Sequence, residues 1–327
     1  MDNHPISCYH LGQYFQVDGK LLQEQYKEHL SEYSGWDQKA HASEWMLFSR
    51  NMSSRLSIDE TALSNGELYT IVTNKEAKGR KGAIVAMIKG TVAEDIIDVL
   101  KKIPERARKK VIEVTMDMAA NMQLAIKRCF VNAHRVIDRF HVQKLAYDAV
   151  QECRINYRWK ALDQENREIA AAKQQKVTFR AEILSNGDTL KQLLARSRYL
   201  LFKHHIKWTE IQKCRAVLLF ERYPELKRAY DLSLDLGHIF RSCTTKEQAF
   251  KRLALWYNEV EASGIEAFKT VSRSIQAHYL SILNFFINRS TNASAESFNA
   301  KVKAFRATSR GVRDIKFFLF RLSKIYA

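Results

Sequence analysis

RLSIDETAL, residues 55–63, is the stretch on which the fold turns. Leu56 and Ile58 alternate with Ser57 and Asp59, the period of two that sends neighbouring side chains to opposite faces of a strand. Two more strand-like runs follow, LYTIVTN at 68–74 and GAIVAMIKG at 82–90. Asn65-Gly66, between the first and the second, is a hairpin turn signal, so an antiparallel meander is expected. A helix is expected over 91–104: Thr91 and Glu94 have capping-box spacing, Ile96, Val99, Leu100 and Ile103 form a stripe, and Pro104 ends it. KVIEVTMDM (110–118) alternates again, a short helix is expected at about 120–130, and AHRVIDRFHV (133–142) reads as a fifth strand. The order βββαβαβ predicts an α/β layer, a mixed sheet with flanking helices. Residues 1–54 have no clear period.

Beyond residue 143 the period switches to 3.6. A helix starts at Pro224 with Leu226, Ala229, Tyr230 and Leu234 on one face. In the next, Thr244 and Glu247 have capping-box spacing, Phe250, Leu253, Ala254, Tyr257 and Val260 make the stripe, and Gly264 lies past the end. No strand is expected in 145–290, and a last helix covers 313–326. Four segments result: an N-terminal segment 1–54, a sheet-bearing part 55–143, an all-helical block 144–290 and C-terminal helices 291–327.

The 327 residues carry 53 Lys and Arg against 36 Asp and Glu, a net charge of +17. Such an excess points to a polyanionic partner, nucleic acid before membrane. No run approaches 18 consecutive apolar residues, so no spanning helix is expected. The start has no basic region followed by an apolar run, so no signal peptide is read there. The five cysteines are scattered without a C-x-x-C pair, which fits reduced thiols in a cytosolic protein and not a zinc ribbon.

STNASAESFNAKVKAF, residues 290–305, reads as an amphipathic helix with Ala295, Phe298, Val302 and Phe305 buried. Asn292, Glu296, Asn299, Lys303 and Arg306 fall on the other face, with Asn292 as N-cap. Glu296 comes too late for a capping-box acid, and residue 300 is Ala, so the usual i,i+4 lysine is missing. Glu296 is then either a solvated charge or one member of a site whose partners lie elsewhere.

Asp59 and Asp117 each sit late in a strand, where an Asp commonly forms a turn or caps a helix. If their strands are neighbours, the two carboxylates converge. Bare carboxylates that close repel, and a divalent cation such as Mg²⁺, which prefers hard oxygen ligands, removes the conflict.

Strand-borne SIDE, then TMDM, then DRFHV, a helical block, and NASAESFNAKVKAFRATSRG together resemble the DDE-class transposases of bacterial insertion sequences, ISL-three-type group, over roughly residues 55–327. The resemblance implies an RNase H-like core interrupted by a helical insertion and completed by the C-terminal helices. It implies Asp59, Asp117 and Glu296 as catalytic residues and as ligands of Mg²⁺ or Mn²⁺, two ions in all. The implied activity is nicking of insertion-sequence ends followed by strand transfer into target DNA. Alternatives of other kinds are a DNA-binding remnant or regulator without turnover, and an RNase H-like nuclease that hydrolyses without joining. Asp138 and His141 also match the pattern. Each reads either as a neighbour of the metals and phosphate or as a structural strand-end Asp and core His.

The stretch 191–228 holds ten Lys or Arg with Tyr199, Phe202 and Trp208 interleaved, a composition suited to phosphates and to stacking on a displaced base. Asn299 lies near the proposed site, and Lys301, Lys303, Arg306 and Arg310 beside and beyond Glu296 are candidates for the DNA backbone. Members of the resembled family commonly begin with a zinc-binding and helix-turn-helix region. Its absence ahead of residue 55 leaves two expectations: a companion polypeptide for end recognition, or a truncated copy. The partners expected are double-stranded DNA, another copy of the chain in a dimer or larger assembly, and no membrane. The location expected is the bacterial cytoplasm, with the nucleoid.

Overall fold

The computed structural model describes residues 1–64, 67–308 and 314–327. The chain divides into two compact units, one of residues 1–138 with 288–327, the other of residues 139–287.

The first unit is built on six strands: β1 (Trp45–Leu47), β2 (Arg55–Ser64), β3 (Glu67–Asn74), β4 (Ile84–Lys89), β5 (Glu113–Met116) and β6 (His134–Ile137). Their order is β1-β4-β3-β2-β5-β6. Pairing is antiparallel from β1 through β2, then parallel from β2 to β5 and from β5 to β6, so the sheet is mixed as its strand order predicts. The expected meander β2-β3-β4 is present; its Asn65-Gly66 turn lies outside the described residues. All of Ile84–Ile88 is buried, the pattern of a strand covered on both faces.

The amphipathic helix Ala93–Lys101 and the helix Ala120–Cys129 pack against this sheet through Ile96, Leu100, Met122 and Ile126. The face that holds Tyr69, Ile71, Ile84 and Met46 is covered by the C-terminal helices Ala293–Thr308 and Ile315–Tyr326. Phe298, Val302 and Phe305 enter that core as the stripe expected. Each such phenylalanine removed from water stabilises the fold by about 1.5–3 kcal/mol.

The second unit is helical, led by Arg139–Gln174 and including Pro224–Ser242, Lys246–Ser263 and Glu266–Ala277. Gly237 lets two of these helices touch: a Cβ there would come 2.7 Å from Gln143 Oε1. The Nε2 of the same side chain donates to the Ser233 carbonyl at 3.0 Å. The Trp256 indole donates to the Leu232 carbonyl at 2.9 Å.

Several expectations are corrected. The fifth strand ends at Ile137, and 139–142 begins the long helix, because the apolar run HRVIDRFHV is too short to separate strand from buried helix. The first 54 residues hold helices Cys8–Phe15 and Gly19–Gln25 and strand β1, elements too short to show a period. Thr91 does not cap: Val92 is at the N-cap, and the Thr91 carbonyl accepts from Asn121 Nδ2 at 2.6 Å. The cap expected at Thr244 is one residue on, where Thr245 accepts from the Gln248 backbone. That helix turns Ala249, Leu253, Trp256 and Val260 inward and leaves Phe250 56 % exposed. Asn292 and Asn299, expected on the solvent face of their helix, are both buried.

Candidate active site

β2 and β5 run parallel with Ser57 opposite Thr115, and the two hydroxyls are 2.7 Å apart. Side chains two residues apart on a strand share a face. Two residues further on lie Asp59, midway along β2 rather than late in its strand as expected, and Asp117, just past the end of β5, on the side where Asp59 is paired with Ile71. The helix Ala293–Thr308 covers that side.

Asn299 Nδ2 on this helix donates to Asp59 Oδ2 at 2.8 Å. Asp59 Oδ1 accepts from the Glu60 N–H at 2.9 Å. Asp117 Oδ1 accepts from the Ala119 N–H at 2.8 Å, the turn-forming role that a strand-end Asp commonly takes. Glu60 is a residue that the sequence reading missed. Burial raises its pKa, and the Asp117 and Asp59 charges raise it further, against a hydrogen bond from Asn121. The signal was in the sequence as SIDE, where a second acid follows Asp59 directly.

Asn292 ties three strands to the start of the Glu296 helix. Its Oδ1 accepts from Thr115 Oγ1 at 3.1 Å, and its Nδ2 donates to the Ile58 carbonyl at 3.3 Å. Its backbone N–H donates to Asp138 Oδ2 at 2.6 Å. Asp138, just past β6, is fully buried and so meets this backbone group rather than solvent. Before it, Glu113 at the start of β5 receives Asn288 Nδ2 at 3.1 Å and pairs with Lys75 at 3.3 Å. Burial would raise the Glu113 pKa, but hydrogen bonds from Ser290 and Asn288 and the Lys75 charge hold it below the usual range.

Glu296 is exposed in the first turn of its helix, its N–H bonded to the Asn292 carbonyl at 3.0 Å. Among the described residues, no three His, Cys, Asp or Glu side chains stand together as a group that could hold a metal ion. The donor chemistry nevertheless suits a hard cation. Asp59 and Asp117 are oxygen donors, and the raised Glu60 registers the negative charge that a divalent ion would offset.

The remaining candidates are dispersed. His141 is half-buried in the second unit, on the helix Arg139–Gln174. Lys301 donates to the Gly79 carbonyl at 3.0 Å, Lys303 is exposed, and Arg306 is half-buried near Glu67 and Tyr69. Arg310 lies outside the described residues. In 191–228, seven of the ten cations have carboxylate partners: Lys191, Arg196, Lys213, Arg215, Arg222, Lys227 and Arg228. Two of them, Arg196 and Arg215, share the buried Asp188. Trp208 donates to the Leu200 carbonyl at 2.8 Å and stacks on Tyr230, while Tyr199 is 66 % exposed.

The family model described as Transposase, DDE_Tnp_ISL3, matches residues 56–322, and the chain belongs to this transposase family. A curated relative, the transposase for insertion sequence element IS1001 of Bordetella parapertussis, is 23% identical over 270 residues. That alignment covers 82% of this chain and 59% of the relative, so the chain spans about three fifths of the relative's length. No solved structure matches the chain. Among the described residues, no helix is long and apolar enough to cross a membrane.

Proposed function

We propose that the chain cleaves DNA at the ends of an insertion sequence and joins the freed ends to target DNA, with Asp59, Asp117 and Glu296 as its catalytic carboxylates. One observation carries this reading: Thr115 holds Asn292, which opens the Glu296 helix, and Asn299 of the same helix holds Asp59. From Thr115 to Asp117 is one strand repeat, about 6.6 Å. From Asn292 to Glu296 is about one helical turn, about 6 Å of rise. The two steps run in the same sense, since Asn292 meets β2 at Ile58 and Asn299 meets it at Asp59 and Glu60. Continuing both steps supports a reading in which Asp117 and Glu296 approach Asp59, although the three do not stand as one group among the described residues. The antiparallel β4-β3-β2 meander, edged by β1 and followed by β5 and β6 in parallel, supports an RNase H-like reading of the sheet.

Asp59, Asp117 and Glu296 would hold Mg²⁺ or Mn²⁺. Two such ions supply nucleophile activation and charge stabilisation at the phosphate. Asn299 fixes the Asp59 carboxylate, and exposed Lys303 offers a cation to the backbone. In the first reaction a water oxygen bonds to phosphorus and the P–O3′ bond breaks, leaving a 3′-hydroxyl. In the second that hydroxyl bonds to a target phosphorus and displaces the target's own 3′-oxygen, so the number of phosphodiester bonds is conserved.

A second reading, binding without cutting, is favoured by the lack of an assembled three-carboxylate group among the described residues. Labelled insertion-sequence ends incubated with the protein and Mg²⁺ or Mn²⁺ separate the two. Nicking followed by joining supports the proposal, nicking alone a nuclease, and retention without a nick the binding protein. Asp59→Asn, Asp117→Asn and Glu296→Gln are each expected to abolish cleavage while melting temperature and DNA affinity stay close to those of the parent. Cleavage that survives any of the three removes that residue from the site.

A further inference from the structure

The turn between β3 and β4 reads NKEAKGRKG, residues 74–82. Lys75 turns inward to Glu113, while Lys78, Arg80 and Lys81 are exposed. Lys78 and Gly79 adopt left-handed backbone, φ 51° and 67°. From the helix Ala293–Thr308, Lys301 Nζ donates to the Gly79 carbonyl at 3.0 Å, and a Cβ at residue 79 would lie only 3.2 Å from that Nζ. The turn is therefore docked on the helix that bears Glu296, through a glycine with the freedom to curl and the room to admit the ammonium. A groove of about 590 Å³ runs alongside, with Arg80, Lys81 and Lys301 on its walls and no acid among its lining residues.

The turn's one acid, Glu76, accepts from Ser54 Oγ at 3.0 Å and is not among the groove's lining residues, so the cations of the turn and Lys301 outnumber it and repel one another, a repulsion that a polyanion relieves. Lys301 has two N–H donors left after the Gly79 bond. It is five residues from Glu296, about 7.5 Å of helical rise and about 140° round the helix, so the ammonium faces the turn rather than the side of Glu296.

We propose that Lys78, Arg80, Lys81 and Lys301 form a surface that takes the sugar-phosphate backbone of duplex DNA, whatever its sequence. This rests on the proposed function only in choosing DNA as the polyanion. The test uses the full chain in EDTA, with two duplexes of unrelated sequence, and follows fluorescence anisotropy across a salt series. Each phosphate contact contributes about 0.9 to the slope of log affinity against log salt. K78A/R80A/K81A is expected to lower the slope by about 2.7, equally for both duplexes. Lys81→Glu, which leaves the rest of the turn unchanged, is expected to lower it by at least about 0.9. A control, K101A/K110A/K127A, removes the same charge from exposed positions elsewhere on the first unit and is expected to leave the slope near that of the parent. An unchanged slope in the turn variants, an equal loss in the control, or no binding by the parent overturns the proposal. Binding is read here without a divalent ion, so a chain that binds in this way yet never cuts when Mg²⁺ or Mn²⁺ is supplied would sink the catalytic reading and leave this surface standing.

Discussion

Asn299 is 6 % exposed and donates to Asp59, so the helix Ala293–Thr308 buries a polar seam as well as its phenylalanine stripe. A hydrophobic period reports only the apolar half of such an interface, because an amide that meets a carboxylate leaves no apolar signature. Asn299→Ala is expected to slow cleavage while the affinity for DNA in EDTA stays unchanged, measured by single-turnover kinetics beside anisotropy. Glu60 supplies a second prediction at this scale. Its folded pKa is raised, so the folded state keeps a proton that the unfolded state has lost. The group therefore lowers stability as pH climbs from the ordinary carboxylate pKa through the raised value. Glu60→Gln is expected to raise the melting temperature at pH 7 and to have little effect near pH 4, where both states hold the proton. A melting difference that grows on acidification refutes this.

The elements that hold the site were legible to different depths. β2 could be read from alternation, and β3 and β4 as apolar, β-branched runs, because each is long enough to stand out. β6 could not, since its four residues pass through Asp138 directly into a helix whose Val142 is also buried. Asp59 and Asp117 could be marked as acids on or just past strands, but their neighbouring strands required the crossover from β2 to β5, which no local pattern encodes. Asn292 was read as a helix cap, and its side chain instead joins Thr115 to the Ile58 carbonyl. Asn292→Ala leaves those buried groups without their partner and is expected to cost about 1–3 kcal/mol in urea unfolding. Asn292→Asp, which sets a second carboxylate close to Asp138, is expected to cost more.

Over the whole molecule, the sheet-bearing unit is discontinuous: residues 288–327 return to it after the 139–287 segment. Its core needs both parts, since Phe298, Val302, Phe305, Leu319 and Leu322 pack with Met46, Tyr69, Ile71 and Ile84. A chain stopped after Ile287 is expected to lose the protease resistance of residues 1–138, as judged by limited proteolysis. Retained resistance would show that the sheet closes its core without the last helices. The apolar stripe of 290–305 foretold that this helix is buried, but the partner face lies more than 200 residues earlier in the chain.

That interruption sets an order of events on the ribosome. By the time Asn288 is translated, Asp59 and Asp117 have long left the exit tunnel, with the entire 139–287 segment made between them and Glu296. A nascent polypeptide therefore carries two of the proposed acids in the open while the third is still unsynthesised, and a message cut short anywhere in that interval encodes a product with no means of assembling the proposed trio.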